Sequence, residues 1–292
     1  MKILLTGITG QIGWELQRTL MTVGEVIPVR RNEMDLTQPN SISGTIQQVK
    51  PDLIVNPAAY TAVDKAESEP ELAMAINGIA PGIMAESAKK VGAALIHYST
   101  DYVFDGANTT PYTESDKPNP QNIYGKTKLV GEQAIASSGV PHLILRTSWV
   151  YGLRGKNFLL TMQKLAQERE EIKVVADQIG APTWSRVIAE TTAQILSQAR
   201  HHVSDFLVSK GGLYHLTASG QTSWYTFAQA IFAHDVQHSE RKLQNLIAIT
   251  SKEYPTAAKR PAYSLLISQK LSNTFGLFLP DWQKTLELVL SE

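Results

Sequence analysis

Tyr124 and Lys128 stand four residues apart in "YGKTK", a spacing that puts both side chains on one face of a helix. A phenol with its usual pKa near ~10 is a poor proton shuttle at neutral pH, and a neighbouring ammonium favours its ionised form. Just upstream, "GAALIHYST" reads as a buried strand whose end carries Thr100, followed by Asp101 and Tyr102 in "STDYVFDG". A hydroxyl there donates to, or accepts from, a reacting oxygen. Thr100, Tyr124 and Lys128 therefore point to proton transfer at an oxygen atom, with Lys128 also suited to hold the hydroxyls of a bound ligand. Asp101 and Tyr102 are expected to line the pocket of the reacting molecule.

These residues need elements that bring them together. Short apolar runs alternate with helical patterns through the first half: "KILLTG", a helix from Gly13, "EVIPVR", "DLIVNPA", a helix from about Glu71, "GAALIHYST", a helix from about Tyr124, and "HLILRTSWV". The runs are continuous rather than alternating, so the strands are expected to be buried on both faces of a parallel sheet. This predicts an α/β fold, a doubly wound parallel sheet. After Trp149 the rhythm breaks into turn-rich stretches separating helices near 158–171, 185–200 and 223–234. Residues 1–150 are expected to form the nucleotide-binding domain, completed by segments near 175–190 and 214–234, with 151–292 mainly a smaller lobe for the second ligand. Ligands of such sheets lie beyond the carboxyl ends of the strands, where "STDYVFDG" falls.

"TGITGQIG" places Gly7, Gly10 and Gly13 between the first strand and its helix. Without Cβ atoms the backbone turns tightly and approaches a pyrophosphate, which meets free N–H groups and the positive end of the helix dipole. The spacing differs from Gly-x-Gly-x-x-Gly, but its position after a strand and before a helix is that of a dinucleotide loop. The second strand ends in Arg30 and Arg31 rather than an acid, and a guanidinium suits a ribose 2′-phosphate. NADPH is therefore the expected cofactor, with NADH as the alternative. Asp35 and Leu36 are placed to border the adenine.

Basic and acidic residues balance at 27 each, which argues against a nucleic-acid or acidic-membrane partner. The chain has no cysteine, which excludes thiol nucleophiles and thiolate zinc sites and fits a reducing cytoplasm. No apolar run approaches a membrane span, and a small-molecule ligand is expected. His234 and His238 are four apart, but "HDVQHSER" is polar and offers no third ligand, so a solvated helix end is expected there rather than a metal.

As a set, these motifs resemble the extended short-chain dehydrogenase/reductases. "NPAAYTAVDKAESEPELAMAIN", "HYSTDYVFDG", "YGKTKLVGE", "RTSWVYG", "DQIGAPTWS" and "GLYHLTASG" are similar over nearly the whole chain to the dTDP-4-dehydrorhamnose reductase family within them. That resemblance implies a Rossmann-type fold and reduction of the C4 ketone of a dTDP-linked sugar. It also implies that Gly10, Gln11 and Ile12 contact the cofactor phosphates, that Arg30, Asp35 and Leu36 border its adenosine half, and that Ala59, Tyr60, Thr61 and Tyr98 flank the rest. By the same resemblance Thr100 and Asp101 are expected to meet the substrate, Tyr124 to be the proton donor, Lys128 to bind the ribose, Trp149 to contact the sugar, and Arg260 in "KRP" to pair with the nucleotide diphosphate.

Two positions bear on the family pattern. Arg30 replaces the acid of some relatives. Some relatives also form metal-bridged dimers through glutamates; Glu15 is present, but Arg186 stands at the position aligned after "GAPT". No metal is predicted, and the expected assembly is a monomer or homodimer. The alternatives are a reductase or epimerase of another nucleotide 4-keto sugar, or a non-catalytic NADP-binding subunit like that of methionine adenosyltransferase. A dehydratase is disfavoured, since Tyr102 follows Asp101 where such enzymes carry an acid.

Overall fold

The computed structural model describes residues 1–199, 202–234 and 241–291. The first half runs β1 (Lys2–Leu5), α1 (Gln11–Thr19), β2 (Glu25–Pro28), α2 (Pro39–Val49), β3 (Leu53–Asn56), α3 (Val63–Ala66), α4 (Pro70–Met74), α5 (Ala80–Val91), β4 (Ala94–Thr100), α6 (Ile123–Ser138) and β5 (His142–Thr147). The second runs β6 (Val150–Tyr151), α7 (Phe158–Glu168), β7 (Glu171–Val175), β8 (Ile179–Gly180), β9 (Thr183–Trp184), α8 (Ser185–Gln198), α9 (Val203–Lys210), β10 (Gly212–His215), β11 (Thr222–Ser223), α10 (Trp224–His234), β12 (Asn245–Ile249), α11 (Gln269–Phe275) and α12 (Trp282–Leu290).

Six strands form the main sheet in the order β2-β1-β3-β4-β5-β10, every pairing parallel. The chain winds outward from β1 to β2 and then returns to the other side at β3, so the switch point lies beyond the carboxyl ends of β1 and β3. This is the doubly wound Rossmann-type fold expected from the sequence.

Neighbouring residues of each strand bury opposite faces. Ile3, Leu5, Leu53, Val55, Ile96 and Leu145 pack with α1, α8 and α9 through Leu16, Ile188, Ile195 and Leu207. Leu4, Ile54, Leu95 and Ile144 pack with α2, α5 and α6 through Ile42, Ile46, Met84, Ala85 and Ile135. A third core, with Tyr151, Leu159, Ile172, Trp184, Phe227, Ile231 and Leu286, holds the smaller lobe. There β7 pairs in parallel with β12, which is why the helix expected over 158–171 ends at Glu168.

The helix expected from about Glu71 is interrupted by a π turn at Ala75–Ile79. Pro81 lies one residue into the following helix, where its missing N–H cannot close a regular bond to Asn77. The turn sits hard against α6, since a Cβ on Gly131 would lie 2.2 Å from the Asn77 carbonyl oxygen. The helix expected from Gly13 begins at Gln11, and α2 was not apparent because only Ile42 and Ile46 give it an apolar stripe. Among the described residues no helix is long and apolar enough to cross a membrane. The His234–His238 pair lies partly outside the described residues: His238 is not among them, and His234 faces Glu287 at 3.8 Å.

Candidate active site

The loop after β1 is shaped by its glycines. Gly7 has φ +59°, and a Cβ on it would lie 2.7 Å from the Ala58 nitrogen. A Cβ on Gly13 would lie 2.1 Å from the Gly7 carbonyl oxygen, so α1 approaches the loop as closely as a backbone allows. Gly10 caps α1 without a side-chain bond, leaving the first-turn N–H groups turned to the crevice. The glycines thus let the loop, α1 and the end of β3 pack backbone to backbone, the tight turn that brings first-turn N–H groups to a dinucleotide pyrophosphate.

Thr6, Gly7, Gly10, Gln11, Ile12 and Gly13 open a crevice of about 1450 Å³ that runs past Arg30, Asp35, Leu36, Ala59, Thr61 and Tyr98 to Thr100, Asp101, Tyr102, Tyr124, Lys128, Trp149 and Arg260. That exceeds the few hundred to ~1,000 Å³ of a single small-ligand pocket and suits a dinucleotide together with a second ligand. Asp35 is held by the backbone N–H and hydroxyl of Thr37, which keeps its carboxyl below the usual range. Tyr60 stands between Ala59 and Thr61, both of which line the crevice. Its hydroxyl donates to Glu69 at 2.6 Å, and its backbone is clamped by Asn77, which accepts from the Tyr60 N–H and donates to the Tyr60 carbonyl.

Tyr124 enters at the first turn of α6. Asn122 caps this helix by accepting from the Gly125 N–H at 2.8 Å. A Cβ on Gly125 would lie 2.1 Å from the Tyr102 carbonyl oxygen, so the glycine after Tyr124 lets the helix seat on the Thr100–Tyr102 segment. The two tyrosine rings meet edge to face, 5.6 Å apart. Thr100 donates to Asp101 at 3.0 Å and accepts from the Tyr102 N–H, and Ser148 donates to the other Asp101 oxygen. Burial pushes the Asp101 carboxyl up despite these donors.

The electrostatics of the pair differ from the expectation that Lys128 eases ionisation of Tyr124. Burial pushes the Tyr124 phenol up to about 12, opposed by a polar contact from Thr100 and reinforced by the Asp101 charge. The Lys128 ammonium is instead engaged elsewhere: it donates to the Tyr98 carbonyl at 2.6 Å and lies 3.1 Å from His97 Nε2. Burial lowers Lys128 to about 8, with Glu132 opposing. The phenol thus keeps its proton through neutral pH, as a proton donor must.

Trp149 adopts the left-handed conformation, φ +46°, and its indole stacks on Trp224. The indole lies over the backbone of Gly180, where a Cβ would come within 2.5 Å of it. Arg260 donates to Asp64 at 2.7 Å and faces Tyr102, whose phenol burial pushes up. Trp224, Phe158, Lys156 and Asn157 also line the crevice and were not singled out from sequence. "SWYTF" shows only an aromatic-rich helix start, and nothing local ties it to Trp149. Asn157 reaches the phosphate loop by donating to Gln11 Oε1 at 2.9 Å. Outside the crevice, the Glu15 carboxylate is flanked by Arg18 at 3.0 Å and Arg186 at 3.5 Å.

A doubly wound sheet with a glycine loop after β1, and with Thr100, Tyr124 and Lys128 converging beside it, is the architecture of the short-chain dehydrogenase/reductases. Within that class the chain belongs to the family described as RmlD substrate binding domain, matched over residues 1–292. It is 47% identical to a dTDP-4-dehydrorhamnose reductase from Burkholderia thailandensis, covering 100% of this chain and 99% of the relative. A dTDP-4-dehydrorhamnose reductase structure from Clostridium acetobutylicum superimposes with TM-score 0.91 at 38% identity, covering 100% of this chain and 99% of the other. One from Bacillus anthracis, in complex with NADP, superimposes with TM-score 0.89 at 36% identity over 99% and 98% of the two chains.

Proposed function

We propose that this protein reduces the C4 ketone of dTDP-4-dehydro-L-rhamnose to the hydroxyl of dTDP-L-rhamnose, with NADPH preferred over NADH. The observation that carries the reading is the convergence of Thr100, Tyr124 and Lys128 in the crevice that the glycine loop opens, in a chain of this family. NADPH, when bound, supplies the hydride to the ketone carbon.

The chain's own residues do the rest. Gly7, Gly10 and Gly13 clear the backbone for the pyrophosphate, with Gln11 and Ile12 beside it. Arg30 meets the 2′-phosphate, and Asp35 and Leu36 border the adenosine. Ala59, Thr61 and Tyr98 flank the remainder, and Lys128 donates to the ribose. Thr100 orients the ketone oxygen by hydrogen bonding, and Tyr124 delivers its phenolic proton to that oxygen as negative charge develops there. Asp101 and Tyr102 border the sugar, Trp149 packs on it, and Arg260 meets the diphosphate. Residues 1–150 with the returning strand β10 serve the cofactor, and most of 151–292 serves the sugar nucleotide. The absence of cysteine supports a cytoplasmic setting.

The test is cofactor consumption with dTDP-4-dehydro-L-rhamnose, compared between NADPH and NADH. Substrate-dependent oxidation, faster with NADPH, is expected. Tight NADPH binding without oxidation would move the assignment to a different keto sugar or to a non-catalytic NADP-binding protein.

A further inference from the structure

The apolar rows on one face of the main sheet turn polar near the strand ends. Leu4, Ile54 and Leu95 are followed two positions on by Thr6, Asn56 and His97, all buried, on the adjacent strands β1, β3 and β4. They form one continuous chain. The Thr6 hydroxyl donates to Asn56 Oδ1 at 2.6 Å, Asn56 Nδ2 faces His97 Nδ1 at 3.0 Å, and His97 Nε2 lies 3.1 Å from Lys128 Nζ. Its ends, Thr6 and Lys128, both open on the crevice. Nothing in the proton transfer from Tyr124 uses His97, yet among the described residues its ring has side-chain partners only in Asn56 and Lys128.

The chain has two complete hydrogen-bond patterns. With Lys128 as an ammonium, His97 Nε2 accepts, His97 Nδ1–H donates to the Asn56 amide oxygen, and the Asn56 amide nitrogen donates to the Thr6 hydroxyl. With Lys128 neutral, the order reverses: Thr6 donates to the Asn56 oxygen, Asn56 donates to Nδ1, and Nε2–H donates to the lysine nitrogen. The two patterns differ by a half-turn of the Asn56 amide and a change of His97 tautomer. The amide orientation in the structure is that of the second pattern, and in both patterns Thr6, Asn56, His97 and Lys128 stay linked, so the lysine changes charge without breaking the chain.

We propose that His97 is the positioning residue for Lys128, a neutral imidazole that holds the ammonium for the cofactor ribose and whose tautomer follows the lysine's charge. This deepens the reading of Lys128 as the ribose-binding cation and rests on it. The imidazole stays neutral because its burial and the adjacent lysine both disfavour a charge. Besides the Tyr98 carbonyl that accepts from Lys128, the charged group acting on this pair is Glu132 on α6, which favours the ammonium and is itself bonded to the Arg146 guanidinium of β5 at 2.6 Å. An accepting Nε2 stabilises the charged lysine, so its removal must lower the Lys128 pKa.

The experiment is NMR on the full chain, with ¹³C-lysine and ¹⁵N-histidine labels and Lys128→Met and His97→Gln spectra for assignment. In the wild type at about pH 7 the expected His97 tautomer is Nδ1–H, converting to Nε2–H as Lys128 titrates. In His97→Leu the lysine pKa falls by about one unit, a tenfold change in the charged-to-neutral ratio. His97→Gln, whose amide oxygen accepts in the same place, restores it, and Thr6→Val shifts it less and in the same direction. The alkaline limb of kcat/KM follows these shifts.

A Lys128 that titrates at one pH in all variants, or a wild-type Nε2–H tautomer while the lysine is charged, overturns the proposal. The tautomer is read in the wild type and stands even where His97→Leu does not fold. These readouts need no substrate, so failure to reduce the keto sugar would overturn the proposed function and leave the coupling of His97 to Lys128 intact.

Discussion

The indole rings of Trp149 and Trp224 lie face to face, 3.5 Å between centroids and 7° from parallel, joining the end of the main sheet to the first turn of a helix in the smaller lobe. Gly180 underlies the Trp149 ring, with no room for a Cβ. Gly180→Ala must therefore tilt the indole. We expect the sugar-nucleotide KM to rise about tenfold, roughly 1.4 kcal/mol, with cofactor affinity unchanged. Steady-state kinetics beside cofactor titration checks this, and equal losses in both would place Trp149 in a general folding role.

Tyr124→Phe removes the proton while keeping the ring against Tyr102. The expected loss in kcat is about 10²–10⁴-fold, the range of general acid catalysis, with NADPH affinity retained. Near wild-type turnover in this variant would remove Tyr124 from the mechanism.

The pH profile follows from burial. Lys128 is lowered to about 8 from the ordinary 10.5, and Tyr124 is raised to about 12. The ammonium is the form proposed to bind ribose, so kcat/KM should fall as pH rises through about 8, and the phenol should add no limb below that. Folding stability runs the other way for this lysine. Its folded pKa is depressed, the unfolded chain binds the extra proton between about 8 and 10.5, and its contribution to stability rises with pH across that window. Rate and denaturation profiles recorded in the same buffers separate the two trends.

Arg30 is the proposed contact for the 2′-phosphate. Arg30→Ala should weaken NADPH binding by about 10–100-fold, the loss of a charge-assisted contact of about 1.5–3 kcal/mol, and leave NADH nearly unaffected. Equal effects on both cofactors would assign Arg30 to the loop rather than to the 2′-phosphate.

Gly13→Ala tests the cradle itself. Its Cβ would meet backbone, the Gly7 carbonyl oxygen at 2.1 Å, which cannot rotate away as a side chain can. A stability loss of about 1–3 kcal/mol is expected, together with loss of NADPH binding, measured by thermal unfolding with and without cofactor.

What could be read in the sequence is what the chain writes locally. The glycine loop, the Tyr-x-x-x-Lys pair and the strand end at Thr100 lie within single strand–turn–helix units, where spacing alone fixes placement. The partners of Tyr60 were not legible, since Glu69 and Asn77 lie outside its own strand–turn segment. Trp224 and Asn157 stayed hidden for a related reason: they reach the crevice only once the smaller lobe folds onto the sheet. The Lys128 surroundings were equally illegible, since the residues that hold it, Tyr98 and His97, come from the middle of an apolar-looking strand.

The most direct measurement is the fate of the transferred hydrogen. With NADPH carrying deuterium at both nicotinamide C4 positions and dTDP-4-dehydro-L-rhamnose, the account predicts deuterium at C4 of the sugar, read by NMR of the isolated product, one label per NADPH consumed. Unlabelled product, or sugar interconversion with the cofactor unchanged, would contradict reduction of the C4 ketone by this protein.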